Sequence, residues 1–235
     1  MTHLNTKIFG LHFLPYLPYW QLIHAADRFL IGDNFAFMKG GWIPRNRIQI
    51  RGEPVYIRVE VDHKSCNRRI DETLLAPLGR EGKLKTLEMA YHRAPCFTAG
   101  YELAERIFRN PQPKLALFLE DSIRAVCAYL GITTPIGHTS DFPGNDRFKR
   151  EHRVYDFCHR LGADTYVNAI GGTALYDKEA FAREGLRLFF LRSQAAPYRQ
   201  FGDSFLPDLS ILDAIMFNTR EQLHAMLDEY TLIDG

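Results

Sequence analysis

The strongest indication of the fold lies in residues 29–48, which read FLIGDNFAFMKGGWIPRNRI. The apolar run at residues 29–31 is typical of a buried strand. Gly32, Asp33 and Asn34 then interrupt the run, as such residues do where a strand gives way to a loop. Many α/β proteins place a binding site on a polar loop of this kind, directly after a buried strand.

The residues just before this stretch complete a parallel α/β unit. Residues 7–13 predict a strand, Pro15 and Pro18 predict a rigid turn, and residues 19–26 predict a short helix. Strand, turn, helix and strand within about 30 residues are the pattern of parallel α/β proteins. We therefore predict an α/β fold with a mixed, largely parallel central sheet flanked by helices.

The rest of the chain predicts further strands and a block of helices. Residues 55–61 alternate apolar and polar side chains, which favours a half-buried antiparallel strand after a strand at residues 47–51. A helical insertion is predicted over roughly residues 83–131, ending at Gly131. Strands are also predicted at 132–136, 165–168 and 186–191, and helices at 146–161 (N-cap Asp146), 178–184, 206–217 (N-cap Asp208 or Ser210) and 220–230. We interpret residues 1–235 as a single domain.

The composition is that of a soluble globular protein. Of its 235 residues, 46% are hydrophobic and 24% are charged, and the net charge is +1. This balance gives no overall signal for nucleic-acid binding, although Lys39, Arg45, Arg47 and Arg51 could form a local basic patch. No apolar run reaches the roughly 18 residues that span a bilayer, and we recognise no signal peptide. The four cysteines form no CxxC pair, which favours free thiols and a cytoplasmic location.

Several common catalytic motifs are absent from the sequence. It has no P-loop, no GxGxxG, no HExxH and no GxSxG, so nucleotide hydrolysis, dinucleotide redox chemistry and two hydrolase classes are disfavoured, and no cofactor is predicted. Asp62, His63 and Cys66 are conceivable metal ligands, but no second His/Cys pair completes a set of four, and no metal site is predicted. Cys127 and Cys158 lie on apolar faces of predicted helices and should be buried.

The candidate site consists of polar and aromatic residues on loops that follow strands, and it should lie where the loops after Ile31 and Asn168 meet. An Asp after a buried strand acts as a general base or orders the loop, and Arg or Lys suits a phosphate or carboxylate. The glycine pair Gly171-Gly172 either lets the backbone approach a phosphate closely or forms a plain turn. His12 is a further candidate to line the site, but its residue type and position favour a structural role. The candidates are Asp33, Lys39, Trp42, Arg45, Asn46, Asn168, Gly171, Gly172, Tyr198 and Gln200.

The order of these residues resembles the WbqC-like proteins, which are often encoded in bacterial O-antigen and surface-polysaccharide gene clusters. A Pro- and aromatic-rich segment, FLPYLPYW, precedes the first helix, and an Asp-centred loop leads to a Trp and then an Arg-Asn pair. Later matches include LGADTYVNAIGGTALYDKEAF and LSILD, so the resemblance covers nearly the whole chain. Members often carry a second Asp and a Gln where Asn34 and Ala36 stand here. The matching loop residues are Asp33, Phe37, Lys39, Trp42, Arg45 and Asn46.

The resemblance implies a cytoplasmic role in surface-polysaccharide synthesis, namely modification of a nucleotide-linked amino sugar. On this hypothesis the protein is an acyl or aminoacyl transferase whose partners are a small-molecule nucleotide sugar and an acyl donor. Asp33 and Lys39 are its catalytic candidates, Arg45 holds the diphosphate, and Trp42 or Tyr198 stacks on a ring. The alternative is a non-catalytic protein that binds a glycan intermediate or scaffolds the pathway. A carrier-protein-dependent step and a homo-oligomer also stay open.

Overall fold

The computed structural model describes the backbone of residues 5–62, 68–76 and 79–235. Its strands are β1 Asn5–Gly10, β2 Arg28–Gly32, β3 Arg45–Ile50, β4 Glu53–Arg58, β5 Ile136–His138, β6 Thr165–Ala169, β7 Arg187–Ser193 and β8 Tyr230–Asp234. Its helices are α1 Leu17–Ala25, α2 Arg80–Tyr91, α3 Phe97–Phe108, α4 Leu115–Leu130, α5 Glu151–Leu161, α6 Lys178–Arg183, α7 Ile211–Phe217 and α8 Arg220–Leu227. His63 and Cys66, considered above as metal ligands, lie outside the described residues.

Six of the strands form one sheet in the order β5-β2-β1-β6-β7-β8. Neighbouring strands are parallel from β5 to β7, and β8 is antiparallel to β7. This confirms the predicted mixed, largely parallel sheet. The chain places β2 on one side of β1 and later places β6 on the other, so the strand order reverses at β1. Open parallel sheets bind ligands beyond the carboxyl ends of the strands at such a reversal.

β3 and β4 form a separate antiparallel hairpin. Its turn contains Arg51 and Gly52, with φ values of 53° and 80°. Two successive residues with positive φ are typical of a tight type I′ turn, whose twist matches that of the strands. The predicted alternation is wrong for Val55, which is exposed, and is confirmed from Tyr56 onward, since Tyr56 is exposed while Ile57, Val59 and Val61 are buried.

Helices α2, α3 and α4 follow one another between β4 and β5, in the part of the chain predicted to be helical. The apolar side chains of Leu84, Leu87 and Tyr91 on α2 are buried in the core. The predicted end of α4 is confirmed, because Gly131 follows it with φ of 74°, a conformation that glycine adopts without steric cost. In the described part of the chain, no helix combines the length and apolarity required to cross a membrane.

The described cysteines are free thiols. Cys127 and Cys158 are buried, as predicted, while Cys96 is partly buried. Burial raises the pKa of both Cys127 and Cys158 to about 12. These two thiols are therefore protonated at neutral pH and act as core residues rather than nucleophiles.

The helix predicted to begin at Asp146 starts later in the structure. α5 begins at Glu151, and Asp146 lies in the 3₁₀ turn Asn145–Arg147. The side chain of Asn145 is fully buried and donates a hydrogen bond to the carbonyl oxygen of Arg153 at 3.0 Å. This contact holds the turn against the first turn of α5, so the turn does not become part of the helix.

The helix predicted over residues 206–217 is also shorter, because its N-cap is Ser210. The Ser210 Oγ accepts a hydrogen bond from the Leu212 amide at 3.3 Å, and α7 begins at Ile211. Asp208, the other predicted cap, has φ of 56°, whereas an N-cap residue normally has extended geometry. The prediction is therefore right for Ser210 and wrong for Asp208.

Both edge strands of the sheet differ from the sequence prediction. β5 lies at Ile136–His138 rather than at 132–136, because the Ile132 amide still bonds to the carbonyl oxygen of Cys127 at the end of α4 (2.9 Å). The last helix, predicted to reach residue 230, ends at Leu227, and Tyr230–Asp234 pair with β7 as β8. Pairing at a sheet edge depends on partners distant in sequence, which a local pattern does not encode.

Candidate binding cleft at the carboxyl edge of the sheet

A cleft of about 890 Å³ opens at the carboxyl edge of the parallel strands. It is lined by the end of β1, the loop after β2, the segment after β6 and the first turn of α5, so the loops after Ile31 and Asn168 face one another across it. Lining residues include Gly10, His12, Phe35, Trp42, Arg153 and Tyr176. Most of the wall is apolar or aromatic with a few polar groups, which is the usual character of a small-molecule site.

His12 brings an imidazole into the cleft just beyond β1. Its ring centroid lies 5.9 Å from that of Tyr19. Burial lowers the pKa of His12 from 6.5 to about 4. The imidazole is therefore neutral at pH 7, and its lowered pKa makes it a weaker base than an ordinary histidine. The sequence favoured a structural role for His12, and the structure places it in the cleft.

Arg153 lines the cleft and is held by neutral partners. Its Nε donates to Asn145 Oδ1 at 2.7 Å, and its Nη2 donates to Asn34 Oδ1 at 3.2 Å. The guanidinium also lies over Phe35, with Cζ 4.6 Å from the ring centroid. Burial lowers the pKa of Arg153, and the charge of Asp146 opposes that shift. Within the described segments no carboxylate forms an ion pair with this guanidinium, so its charge faces the cleft.

A row of rings and guanidinium groups continues from the cleft onto the β3–β4 hairpin. Trp42 lines the cleft and is 41% exposed. Arg45 Cζ lies 4.5 Å from the ring centroid of Tyr56 and 5.9 Å from that of Trp42, and Arg47 Cζ lies 5.5 Å from the Trp42 centroid. The strand register pairs Arg47 with Tyr56 and leaves Arg45 on the same face. We call Trp42, Arg45, Arg47 and Tyr56 the stacked row.

Asp33 and Lys39, the predicted catalytic residues, are not among the residues that line the cleft. The Asp33 carboxylate accepts hydrogen bonds from Thr139 Oγ1 at 3.0 Å, from the Ser140 amide at 3.1 Å and from Ser140 Oγ at 2.6 Å. These bonds tie the loop after β2 to the turn Thr139–Asp141, which is the loop-ordering role considered for an Asp here. Lys39 is exposed on the same loop. A catalytic role for either residue stays a prediction.

Asn46 and Asn168, two predicted ligand-binding residues, are buried and bond to the backbone. Asn46 Nδ2 donates to the carbonyl oxygens of Phe13 at 3.2 Å and Leu14 at 2.8 Å. It thereby fixes the segment that follows β1 against the hairpin. Asn168 Oδ1 accepts a hydrogen bond from the Ala169 amide at 2.8 Å. Both amides therefore have structural contacts that explain their burial.

Gly171 and Gly172 lie in the 3₁₀ segment Ile170–Leu175, directly after β6. A Cβ atom at Gly172 would lie 2.6 Å from Asn168 Nδ2, which is closer than atoms can approach, whereas a Cβ at Gly171 would meet nothing within 4 Å. Packing against Asn168 therefore explains the glycine at 172 without reference to a phosphate. Contact of Gly171 and Gly172 with a ligand stays a prediction.

Tyr198 and Gln200 belong to a different, buried group of residues centred on Asp213. The Asp213 carboxylate accepts hydrogen bonds from Tyr198 Oη at 2.7 Å, Gln200 Nε2 at 2.7 Å and Tyr91 Oη at 2.8 Å. Burial raises the pKa of Asp213, and the three hydrogen bonds act against that rise. We call these four residues the Asp213 cluster. None of the four lines the cleft.

Sequence reasoning missed Arg153 and the amides that support it. The apolar stripe of α5 predicts a helix, but an arginine on the polar side of a helix is usually a solvated charge. The contact with Asn34 joins residues 119 positions apart and has no local signature. The one local sign is the basic stretch RFKREHR at residues 147–153.

The fold and the cleft together define an α/β protein with a candidate binding cleft at the carboxyl edge of a parallel sheet. The chain belongs to the WbqC-like protein family, which matches residues 12–225. It is similar to Uncharacterized protein Rv1507c of Mycobacterium tuberculosis (strain ATCC 25618 / H37Rv), with 28% identity over 211 residues that cover 88% of this chain and 90% of that protein. No solved structure matches the chain.

Proposed function

We propose that the protein transfers an acyl or aminoacyl group to the amine of a nucleotide-linked sugar in the synthesis of a bacterial surface polysaccharide such as O-antigen. The supporting observation is the position of Trp42, which belongs both to the cleft and to the stacked row. One ligand can therefore occupy the cleft and the stacked row together. A nucleotide sugar has two parts that match these surfaces. Its sugar suits the cleft, and its diphosphate and aromatic base suit the stacked row.

The stacked row suits the nucleotide part of this ligand. Trp42 and Tyr56 are 41% and 47% exposed, so their ring faces are accessible to a base. The planar guanidinium groups of Arg45 and Arg47 match phosphate oxygens. Within the described parts of the chain, neither arginine forms an ion pair with a carboxylate. A diphosphate would therefore displace no internal acid from these two side chains.

The cleft supplies a base for the transfer step. When the sugar amine attacks the acyl carbon of an activated ester or thioester, a C–N bond forms and the bond to the donor's leaving group breaks. The proton lost by the amine goes to the neutral imidazole of His12, which then returns it to the leaving group. His12 is assigned this role in preference to Asp33 because His12 lines the cleft.

Replacing Arg45 with Ala should weaken the binding of a uridine diphosphate-linked amino sugar by about 10- to 100-fold. The reason is that a hydrogen bond to a charged phosphate contributes roughly 1.5–3 kcal/mol, and each 1.4 kcal/mol is about tenfold in affinity. The measurement is the rise of the thermal unfolding midpoint with ligand concentration, since a ligand of the native state stabilises it.

Arg109→Ala is the matched control for this experiment. Arg109 lies at the end of α3 in an exposed ion pair with Glu105 at 2.9 Å, and it does not line the cleft. The control should retain the full ligand-induced shift. The same shift in a folded Arg45→Ala variant would reject the proposed diphosphate contact. Binding with no N-acylated product from activated donors, followed by mass spectrometry, would reject the transferase and leave the binding-protein alternative.

A further inference from the structure

We infer that the Arg153 guanidinium binds a carboxylate group of a molecule that occupies the cleft. This deepens the proposed function and rests on it for the identity of the cleft's occupant, because the carboxylate would belong to the sugar or to the acyl donor. Three features carry the inference: the neutral support of the guanidinium, its remaining N–H groups and the charge of the cleft.

The support of Arg153 is built from neutral amides with fixed orientations. Asn145 Nδ2 donates to the Arg153 carbonyl oxygen at 3.0 Å and to Asp156 Oδ2 at 2.9 Å, which leaves Asn145 Oδ1 to accept from Arg153 Nε. Asn34 Oδ1 accepts from Arg153 Nη2, and Thr139 Oγ1 lies 2.9 Å from the same oxygen. The guanidinium is therefore oriented before any ligand binds, and little side-chain freedom is lost when one does.

The remaining donors of Arg153 suit a planar anion. Its two side-chain hydrogen bonds use Nε and one N–H of Nη2, and among the described residues Nη1 has no acceptor. Phe35 covers one face of the guanidinium, so a ligand approaches in its plane, at the edge formed by Nη1 and Nη2. Two parallel N–H groups at such an edge match the two oxygens of a carboxylate.

The charge of the cleft favours a monoanion. Among the described residues, the charged side chains that line it are Arg150, Glu151 and Arg153, which leave one net positive charge. His12 adds none, because burial lowers its pKa to about 4. A carboxylate would balance this charge. A dianionic phosphate would leave an uncompensated negative charge against a largely apolar wall, which is unfavourable.

The test is a ligand-observed NMR titration of the full chain with two matched pairs of ligands that contain no nucleotide. Glucuronate and glucose differ by a carboxylate on a sugar, and N-acetylalanine and N-acetylalaninamide differ by a carboxylate of the kind an acyl donor would carry. We expect at least one acid to bind about tenfold more tightly than its neutral partner and more tightly than inorganic phosphate. The pair that shows the difference identifies the source of the carboxylate.

Two variants should abolish this preference for the acid. Arg153→Gln removes the charge, and Asn34→Asp keeps the guanidinium while placing an internal carboxylate against it. Asn34→Asp also decides the matter if Arg153→Gln does not fold. Arg147→Gln is the matched control, because Arg147 lies on the same segment with Cζ 4.9 Å from the Phe148 ring and does not line the cleft. It should retain the wild-type preference.

The inference is overturned if wild type binds the acid and the neutral partner equally in both pairs. It is also overturned if phosphate binds more tightly than both acids, or if folded Asn34→Asp keeps the preference for the acid over its neutral partner. A preference for the acid without any binding of nucleotide sugars would keep the carboxylate site and reject the proposed function. Binding of nucleotide sugars without a preference for the acid would reject the carboxylate site alone.

Discussion

Asp213→Ala should lower the free energy of unfolding by roughly 3–5 kcal/mol. Asp213 is fully buried, and its carboxylate accepts hydrogen bonds from Tyr91, Tyr198 and Gln200. The variant leaves these donors without their acceptor inside the protein, and each buried unsatisfied group costs about 1–3 kcal/mol. Urea unfolding followed by circular dichroism measures the change.

The Asp213 cluster explains why this effect should be so large. Tyr91 Oη also accepts a hydrogen bond from the Gln49 amide at 2.9 Å, so the cluster connects β3, α2, α7 and the segment that carries Tyr198. Asp213→Asn is the matched control, because its remaining oxygen can still accept from Tyr198 and Gln200. We expect it to cost roughly 1–2 kcal/mol, since one hydrogen bond is lost. Equal stability of wild type and Asp213→Ala would contradict this description of the cluster.

His12 should make the protein less stable as the pH falls from 7 to 5. Burial lowers the pKa of His12 from 6.5 to about 4. Between these two values the unfolded chain binds a proton at this position and the folded chain does not, so acid favours unfolding. With one pKa unit equal to about 1.36 kcal/mol, the contribution of His12 to this loss is roughly 2 kcal/mol between pH 7 and pH 5.

The measurement is the free energy of unfolding in urea at several pH values for wild type and His12→Gln. The variant removes the titrating group, so its stability should depend less on pH by the same roughly 2 kcal/mol. His92→Gln is the control, because His92 is exposed on the surface and its loss should leave the wild-type pH dependence in place. Parallel curves for wild type and His12→Gln would show that the imidazole is not buried in its neutral form.

The parallel core of the fold is predictable because its signals are local. The apolar run of β2, the short helix before it and the strand at 165–168 each show their character within a few residues. β8 is not predictable in this way, because Tyr230–Asp234 forms a strand only through its pairing with β7. Asp146 shows a similar limit, since the turn that contains it is held by a buried contact of Asn145 with α5.

The candidate site is predictable only in part, for a related reason. The sequence shows that Trp42 and Arg45 follow a buried strand within a short loop. In the structure both residues lie together in the stacked row. Asp33 has the same sequence context, yet its carboxylate bonds to Thr139 and Ser140 instead of lining the cleft. Which polar residue of a loop faces a cavity depends on the segment that packs against that loop, and residues 139–140 are more than a hundred positions away in the sequence.

Tryptophan fluorescence can detect a nucleotide sugar that binds across Trp42, because the chain has two tryptophans in very different environments. Trp20 is fully buried, with Nε1 donating to the carbonyl oxygen of Pro15 at 2.9 Å, whereas Trp42 is exposed at the junction of the cleft and the stacked row. A base that stacks on Trp42 should quench its emission, while Trp20 is shielded from the ligand.

The measurement is a titration of wild type and Trp42→Phe with a uridine diphosphate-linked amino sugar. We predict a saturable decrease of emission in wild type and none in Trp42→Phe, which retains only Trp20. Saturable binding detected by calorimetry with unchanged wild-type emission, or equal quenching of both proteins, would contradict the claim that a nucleotide sugar binds across Trp42.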